Sequence, residues 1–306
     1  LQRSGEMEMN IIGVPLYYGC DRQGVELGPD KLREKGLVQT LEQHGHSVED
    51  LGNLSVLEAT DETKYDAHPQ MKYLNEIVDV SNQLAKSVFE SLTANQFPLV
   101  IGGDHALSLG SVAGASQYQD DIAVIWVDAH ADSNTIQTSP SGNIHGMPLG
   151  ASMGAGEEQL TNIFFKGHKV IPANTYIIGA SSIDPGEMDF LKEAEVNLYQ
   201  REEIVAKGLT NILDEVVQKI TDSGVKAIHL SWDVDSMEGD LVPGTGLPIK
   251  GGFTVEEVKT IFDRLFATNL VQSLDMVELN PLLDEEGMTA DLVIDLVNHV
   301  GKLINQ

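Results

Sequence analysis

Three runs in this 306-residue chain carry ligand-type side chains at spacings suited to holding a metal ion. Gly102-Gly103-Asp104-His105 follows the apolar pair Val100-Ile101. Asp128-Ala129-His130-Ala131-Asp132 follows Ile125-Trp126-Val127. Asp233-Val234-Asp235 follows His229-Leu230-Ser231-Trp232. On an extended chain, residues i, i+2 and i+4 face one side. Asp128, His130 and Asp132 therefore project together from one strand end, and Asp233 and Asp235 from another. Charges at the end of a strand buried on both faces need compensation, and a cation is the obvious source of it. Taken singly, His105 after two glycines reads as the start of a helix, and Asp233 and Asp235 as an exposed loop or a pair of helix caps. The alternating run from Asp128 to Asp132 is harder to read that way, and three such groups at strand ends of one sheet point to metal binding.

The donor set is two imidazoles, four carboxylates and no thiolate. Carboxylates suit Mn²⁺ and Mg²⁺, imidazoles pull toward Mn, Fe, Co or Zn, and the overlap favours Mn²⁺. Six ligand residues are too many for one ion with an open position, so two Mn²⁺ ions sharing bridging carboxylates are expected. Four carboxylates balance two divalent cations. A bridging hydroxide then leaves the cluster about one charge negative, which suits a cationic electrophile such as a guanidinium.

The elements that must position these groups follow an alternating pattern. Short apolar, β-branched runs at 10–15, 46–51, 98–102, 122–127, 175–178, 196–199, 227–232 and 273–278 read as strands. Between them, 29–42, 70–93, 187–193, 201–222, 254–266 and 290–303 read as helices. This predicts an α/β fold, a three-layer α/β/α sandwich around a central parallel sheet of about eight strands. The near-continuous apolar runs at 122–127 and 227–232 fit strands covered on both faces. In such sheets ligands bind beyond the carboxyl ends of the strands, where all three groups fall.

Hydrophobic residues make up 42% and charged residues 22% of the chain, as in a folded globular protein. Residues 1–8 are set apart: Leu1 to Glu6 reads as a cloning remnant, with the native start expected at Met7 or Met9, and 9–306 is expected to be one domain. A net charge of −28, from 19 basic and 47 acidic residues, argues against nucleic acid and against an anionic membrane surface. No apolar run approaches the ~20 residues of a membrane helix, and no secretory segment opens the chain. Cys20 is the single cysteine, which excludes an internal disulfide and a thiolate zinc site and fits a cytoplasmic location.

The same residues carry a resemblance to the ureohydrolase superfamily, arginase branch. It extends from about Met9 to the C-terminus. Beside the three ligand runs, it rests on Ser133-Asn134, on Ser141-Gly142-Asn143-Ile144-His145-Gly146-Met147-Pro148, on Ile183-Asp184-Pro185-Gly186-Glu187, on Val277-Glu278-Leu279-Asn280-Pro281, and on the run from Arg22 to Pro29. The resemblance implies manganese-dependent hydrolysis of L-arginine to L-ornithine and urea by a metal-bridging hydroxide. His105 and Asp132 would hold one ion, His130 and Asp235 the other, with Asp128 and Asp233 bridging. Asp132 would pass a proton to the leaving amine, Glu278 would anchor the guanidinium, and His145 would shuttle protons or orient the substrate. Asn134, Ser139 and Ser141 resemble positions near the α-carboxylate, and Asp184 and Glu187 positions near the α-amino group. Without that context, Asn134, Ser139 and Ser141 are turn formers and Asp184-Pro185-Gly186 opens a helix. A homo-oligomer, trimer or hexamer, is also implied.

The chain departs from the family pattern at Ala106, at Ser181 and Ser182, at Ser236 to Gly239 and at Leu247, where a threonine is common. None is a metal ligand, so the departures bear on substrate choice: agmatine or a guanidino acid is the alternative to arginine. A deacetylase-like reading expects a single zinc and a tyrosine, and a non-catalytic binding protein would not need the full ligand set.

Overall fold

The structure is a computed structural model and describes residues 7–304. The remnant expected at residues 1–6 lies outside the described residues. Among these, eight strands form one parallel sheet: β1 (Glu8–Val14), β2 (Ser47–Asn53), β3 (Phe97–Gly102), β4 (Ile122–Val127), β5 (Thr175–Ile178), β6 (Asn197–Tyr199), β7 (Ala227–Asp233) and β8 (Val271–Val277). Their order across the sheet is β2-β1-β3-β8-β7-β4-β5-β6, and every pairing is parallel. All eight expected strands are present, with ends displaced by a residue or two.

Side-chain alternation splits the core between two faces. Ile11, Ile101, Ile125 and Val127 join one buried cluster, and Ile12, Val14, Val100, Val124 and Trp126 the other. The first face is covered by α1 (Gly28–Glu34) and α2 (Leu37–Glu42), which contribute Leu32, Leu37 and Leu41. The second is covered by α3 (Leu74–Thr93) and α4 (Ser108–Tyr118). Short helices α5 (Pro148–Ser152) and α6 (Glu158–Thr161) and then α7 (Pro185–Glu193) extend this second layer. The chain returns to the first face with α8 (Arg201–Lys207), α9 (Leu209–Ser223), α10 (Val255–Phe266) and α11 (Met288–Leu303). The outcome is the three-layer α/β/α sandwich.

Two expected helices are each broken in two. The one at 29–42 is interrupted at Gly36, φ 90°, and the one at 201–222 at Gly208, φ 87°. Both glycines take a backbone conformation that ends a helix and that other residues adopt only with strain. Helix α4 was not expected. Its sequence, Ser-Leu-Gly-Ser-Val-Ala-Gly-Ala-Ser-Gln-Tyr, is too small and even to show a polar face, because the helix is almost wholly buried. Gly110 and Gly114, one turn apart, let it lie against α3, where a Cβ at either would strike the backbone oxygens of Ser81 and Ala85. Among the described residues, no helix is long and apolar enough to cross a membrane.

Candidate metal centre

The sheet order decides where the ligand-type residues meet. The four adjacent strands β3, β8, β7 and β4 deliver, at their carboxyl ends, His105, Glu278, the Asp233/Asp235 pair and the run from Asp128 to Asp132. Strands β3 and β4 are separated by 19 residues of chain yet do not touch, since β8 and β7 lie between them.

Local turns aim each group. After β3, the Asp104 carboxylate accepts the Ala106 N–H at 2.9 Å and starts a short 3₁₀ turn that begins with His105. After β7, Asp233 Oδ1 accepts the Asp235 N–H at 2.7 Å and turns both carboxylates inward. After β4, Asp128 Oδ1 accepts the His130 N–H at 2.7 Å, while Trp126 Nε1 donates to Asp128 Oδ2 at 3.0 Å. The Trp126 ring also stacks on the His105 ring, centroids 3.9 Å apart. Two of the site residues, Asp132 (φ 45°) and Glu278 (φ 70°), hold positive φ without being glycine. Such conformations cost about 1–3 kcal/mol each and persist where the surroundings enforce them, commonly at functional sites. Here Leu149 and Gly150 N–H groups hold the Asp132 carbonyl, and the Glu278 N–H donates to Gly103.

Asp128 is fully buried and stands between the two imidazoles. Its Oδ2 lies 2.9 Å from His105 Nδ1 and its Oδ1 lies 3.3 Å from His130 Nδ1. His105 Nδ1 is also 3.2 Å from Asp132 Oδ2 and 3.2 Å from Asp233 Oδ2, and His130 Nδ1 is 3.2 Å from Asp235 Oδ2. Two triads able to hold a metal result, His105–Asp128–Asp132 and Asp128–His130–Asp235, sharing Asp128. The donor chemistry fits divalent cations. His105 Nδ1 is fully buried among three carboxylate oxygens without forming a hydrogen bond to any of them, and Asp235 Oδ1 is equally unpartnered. Within each triad the donor atoms all lie within 4.8 Å of one another, close enough to share one ion.

The electrostatics say the same. Among the protein groups alone, burial works against charge on His105, but Asp128, Asp132 and Asp233 outweigh it and hold its pKa well above the usual range. Burial and then the Asp128 charge push Asp132 up to about 7 and Asp235 up to about 6. Burial and then Asp235 push Asp233 up as well. Too many carboxylates share too little solvent, and added positive charge would relieve them.

Above this floor opens a cleft of about 130 Å³. It is lined by every residue singled out from the sequence except His105 and Asp128, which lie buried beneath it. His145 reaches in from a loop whose backbone is fastened to Gly19, and its Nδ1 lies 3.2 Å from Glu278 Oε1. Burial lowers the His145 pKa, but Glu278 more than reverses this and raises it to about 9. Glu278 Oε1 also accepts the His105 N–H at 2.8 Å. On the rim, Asn134 Nδ2 donates to Asp184 Oδ2 at 2.9 Å. Ser139 and Ser141 hydroxyl oxygens accept the Gly142 and Asn143 N–H groups, which shapes the turn and leaves each hydroxyl proton available. Both Glu187 oxygens are engaged by backbone, accepting from Ser133 N at 2.7 Å and Asp184 N at 3.0 Å, so Glu187 ties the loop after β4 to the start of α7. Of the departures, Ser182 and the exposed Leu247 line the cleft.

Sequence reasoning did not single out Trp126 or Ser231, which touch the ligand-type residues Asp128 and His105. Ser231 Oγ lies 2.8 Å from His105 Nε2. The available signal was a polar residue at an inward position of an otherwise apolar strand.

A parallel α/β sheet with imidazole–carboxylate triads at its strand ends, sharing one aspartate under a polar cleft, has the build of a metal-dependent hydrolase. Comparison with known families matches residues 7–301 to the arginase family. The arginase of Brevibacillus brevis is 40% identical over 292 residues, covering 95% of this chain and 97% of that protein. The crystal structure of arginase from Bacillus subtilis superimposes with a TM-score of 0.89 at 36% identity, covering 96% of this chain and 98% of that one. Entamoeba histolytica arginase, solved in complex with L-ornithine, superimposes with a TM-score of 0.88 at 30% identity, covering 98% and 99%. The chain belongs to the arginase family.

Proposed function

We propose that this protein hydrolyses the guanidinium group of L-arginine, giving L-ornithine and urea, with two Mn²⁺ ions as cofactor. The observation that carries the reading is the position of Asp128, one oxygen toward each imidazole, at the floor of a cleft whose rim offers hydroxyls, an amide and a carboxylate. His105 and Asp132 would hold one ion, His130 and Asp235 the other, with Asp128 and Asp233 shared. When bound, the metals supply the Lewis acidity that makes water nucleophilic near neutral pH.

The chain's own residues do the rest. Glu278 holds the guanidinium by charge-assisted hydrogen bonds and sets its carbon over the floor. The Asp132 carboxylate takes up the proton that the attacking water loses and delivers it to the departing amine nitrogen. The His145 imidazole, at the cleft wall, carries the second proton that the water gives up as the urea carbonyl forms, exchanging it with solvent or the released amine, or else orients the substrate. Ser139, Ser141 and Asn134 recognise the α-carboxylate and Asp184 the α-amino group, while Glu187 keeps Ser133 and Asp184 in place. The arginase relative solved with L-ornithine supports this product assignment.

The second reading is a ureohydrolase acting on agmatine or a guanidino acid, favoured by the apolar Leu247 on the rim. We further propose that 9–306 acts as one domain, assembles as a homo-oligomer (trimer or hexamer) and works in the cytoplasm. The deciding experiment is urea release from L-arginine, agmatine and 4-guanidinobutyrate after loading with Mn²⁺, beside a metal-stripped control. Manganese-dependent urea from arginine is expected, with two Mn per chain by elemental analysis. Urea from another guanidine alone moves the substrate, and activity in the stripped control removes the metal mechanism.

A further inference from the structure

The buried groups of β7 and β8 beneath His105 form a network that the hydrolytic scheme above does not use. In the parallel register Ser231 pairs with Asp275 and His229 with Ser273. Alternation places His229, Ser231 and Asp233 on one side of β7. His229, Ser231, Ser273 and Asp275 are all fully buried. A carboxylate in the middle of a sheet covered on both faces is costly unless its neighbours satisfy it.

Asp275 Oδ2 gathers three of them. Ser111 Oγ donates to it from α4 at 2.7 Å, Ser231 Oγ donates at 3.0 Å, and His229 Nε2 lies 2.9 Å away. Ser273 Oγ meets the other ring nitrogen of His229 at 2.7 Å. Asp275 Oδ1, equally buried, has no partner. The network is therefore one-sided, and its weight falls on the oxygen beside Ser231.

That bias has a chemical consequence. A carboxylate only accepts, so the single hydroxyl proton of Ser231 is committed to Asp275. The Ser231 oxygen can then offer only a lone pair to His105 Nε2, 2.8 Å away. His105 must donate from Nε2, which leaves its lone pair on Nδ1, the atom facing Asp128, Asp132 and Asp233. Were Ser231 free to turn its proton toward Nε2, the neutral ring would carry its hydrogen on Nδ1 and could not ligate from there. A packing role alone would not require every donor to converge on one oxygen.

We propose that Asp275, braced by His229, is a positioning residue that fixes His105 in the metal-ligating tautomer through Ser231. This deepens the metal reading of the same site and rests on it. The test is Mn²⁺ titration of the metal-stripped protein, following free Mn²⁺ by electron paramagnetic resonance, with circular dichroism of each stripped variant to check folding. Asp275→Leu removes the acceptor, and Asp275→Val replaces it should the leucine variant not fold. One of the two ions should bind roughly 10- to 100-fold more weakly, the loss typical of an outer-shell partner, while the other stays near the parent value. Ser231→Ala should weaken the same ion, and the double variant should be no worse than the poorer single one. Asp275→Asn, which keeps an acceptor oxygen of the same reach, should recover most of the affinity.

Parent-like binding of both ions by the apolar variant would overturn the proposal, as would equal weakening of both ions or strictly additive losses with Ser231→Ala. A parent protein that binds no Mn²⁺ would instead sink the metal reading itself.

Discussion

At the floor of the cleft, His105, Asp128, Asp233 and Asp235 are buried at the ends of adjacent strands, and each is aimed by a turn closed with its own or a neighbour's carboxylate. At the rim, Ser139 is half-buried and Ser141 exposed, on a loop held by Lys72, which donates to Asn143 Oδ1 at 2.8 Å. Of the family departures, Ser181, Ser182 and Leu247 are exposed, Ala106, Ser236 and Met237 are buried next to floor residues, and none of the six ligand-type residues is altered. A change in the floor is costly because it misplaces a buried charge, whereas a rim residue changed in water costs little. Chemistry and substrate choice are thus open to change independently.

Four changes probe that division. Asp128→Asn strikes the floor hardest, because a neutral amide cannot satisfy two cations. Metal and activity should fall together, activity by roughly 1,000-fold or more, equivalent to about 4 kcal/mol of lost stabilisation. Parent-like metal content and turnover would remove Asp128 from the shared position. His145→Asn, on the wall between floor and rim, should keep both metals and lower kcat by roughly 100-fold. Loss of metal on elemental analysis would place His145 in the floor instead.

Proton–metal competition at the floor gives the third. A carboxyl has a pKa of about 3.9 in an unfolded chain. Burial and the Asp128 charge raise Asp132 to about 7 and Asp235 to about 6. Between pH 4 and 7, therefore, the folded protein binds protons that the unfolded chain has released, and without metal its stability falls as pH rises through that window. Added Mn²⁺ takes the place of those protons. The gain in melting temperature on adding Mn²⁺ should be small at pH 5 and keep growing through pH 8, since the same carboxylates hold His105 protonated above its usual range; a gain flat from pH 5 to 8 would contradict it. The smallest effect belongs to the rim. Leu247→Thr should leave metal content unchanged and lower KM for arginine roughly two- to tenfold, the worth of one hydrogen bond. A change in metal affinity would mean that rim and floor are coupled.

Much of the floor was legible in the sequence because its signal is a contradiction: charged residues at i, i+2 and i+4 directly after apolar strands such as 122–127 have no bland explanation. The strands were legible for the same reason, being runs that bury both faces. Helix α4 was not, since Gly110 and Gly114 serve contact with α3 and erase the amphipathic pattern. The breaks at Gly36 and Gly208 are each marked by a glycine, but a glycine inside a periodic stretch does not by itself declare its φ. Nor do Asp132 and Glu278, whose positive φ depends on partners far along the chain. Asp275 and Ser231 read as isolated polar residues until strand pairing sets them side by side.

The strand order also bears on how the protein is made. Strands β3 and β4, which carry His105 and the run from Asp128 to Asp132, are synthesised early, but the two strands that join them, β7 and β8, begin only at Ala227 and Val271. The contact from His105 to Ser231 spans 126 residues and that to Glu278 spans 173. Contacts of such range close late, and they slow folding. A nascent chain thus carries half a set of buried acids with a gap in the middle of its sheet, and the complete cage exists only after the last two strands have slotted in. A chain cut short anywhere before β8 already holds all six ligand-type residues, yet it has nothing to close the gap between β3 and β7 that sets their spacing.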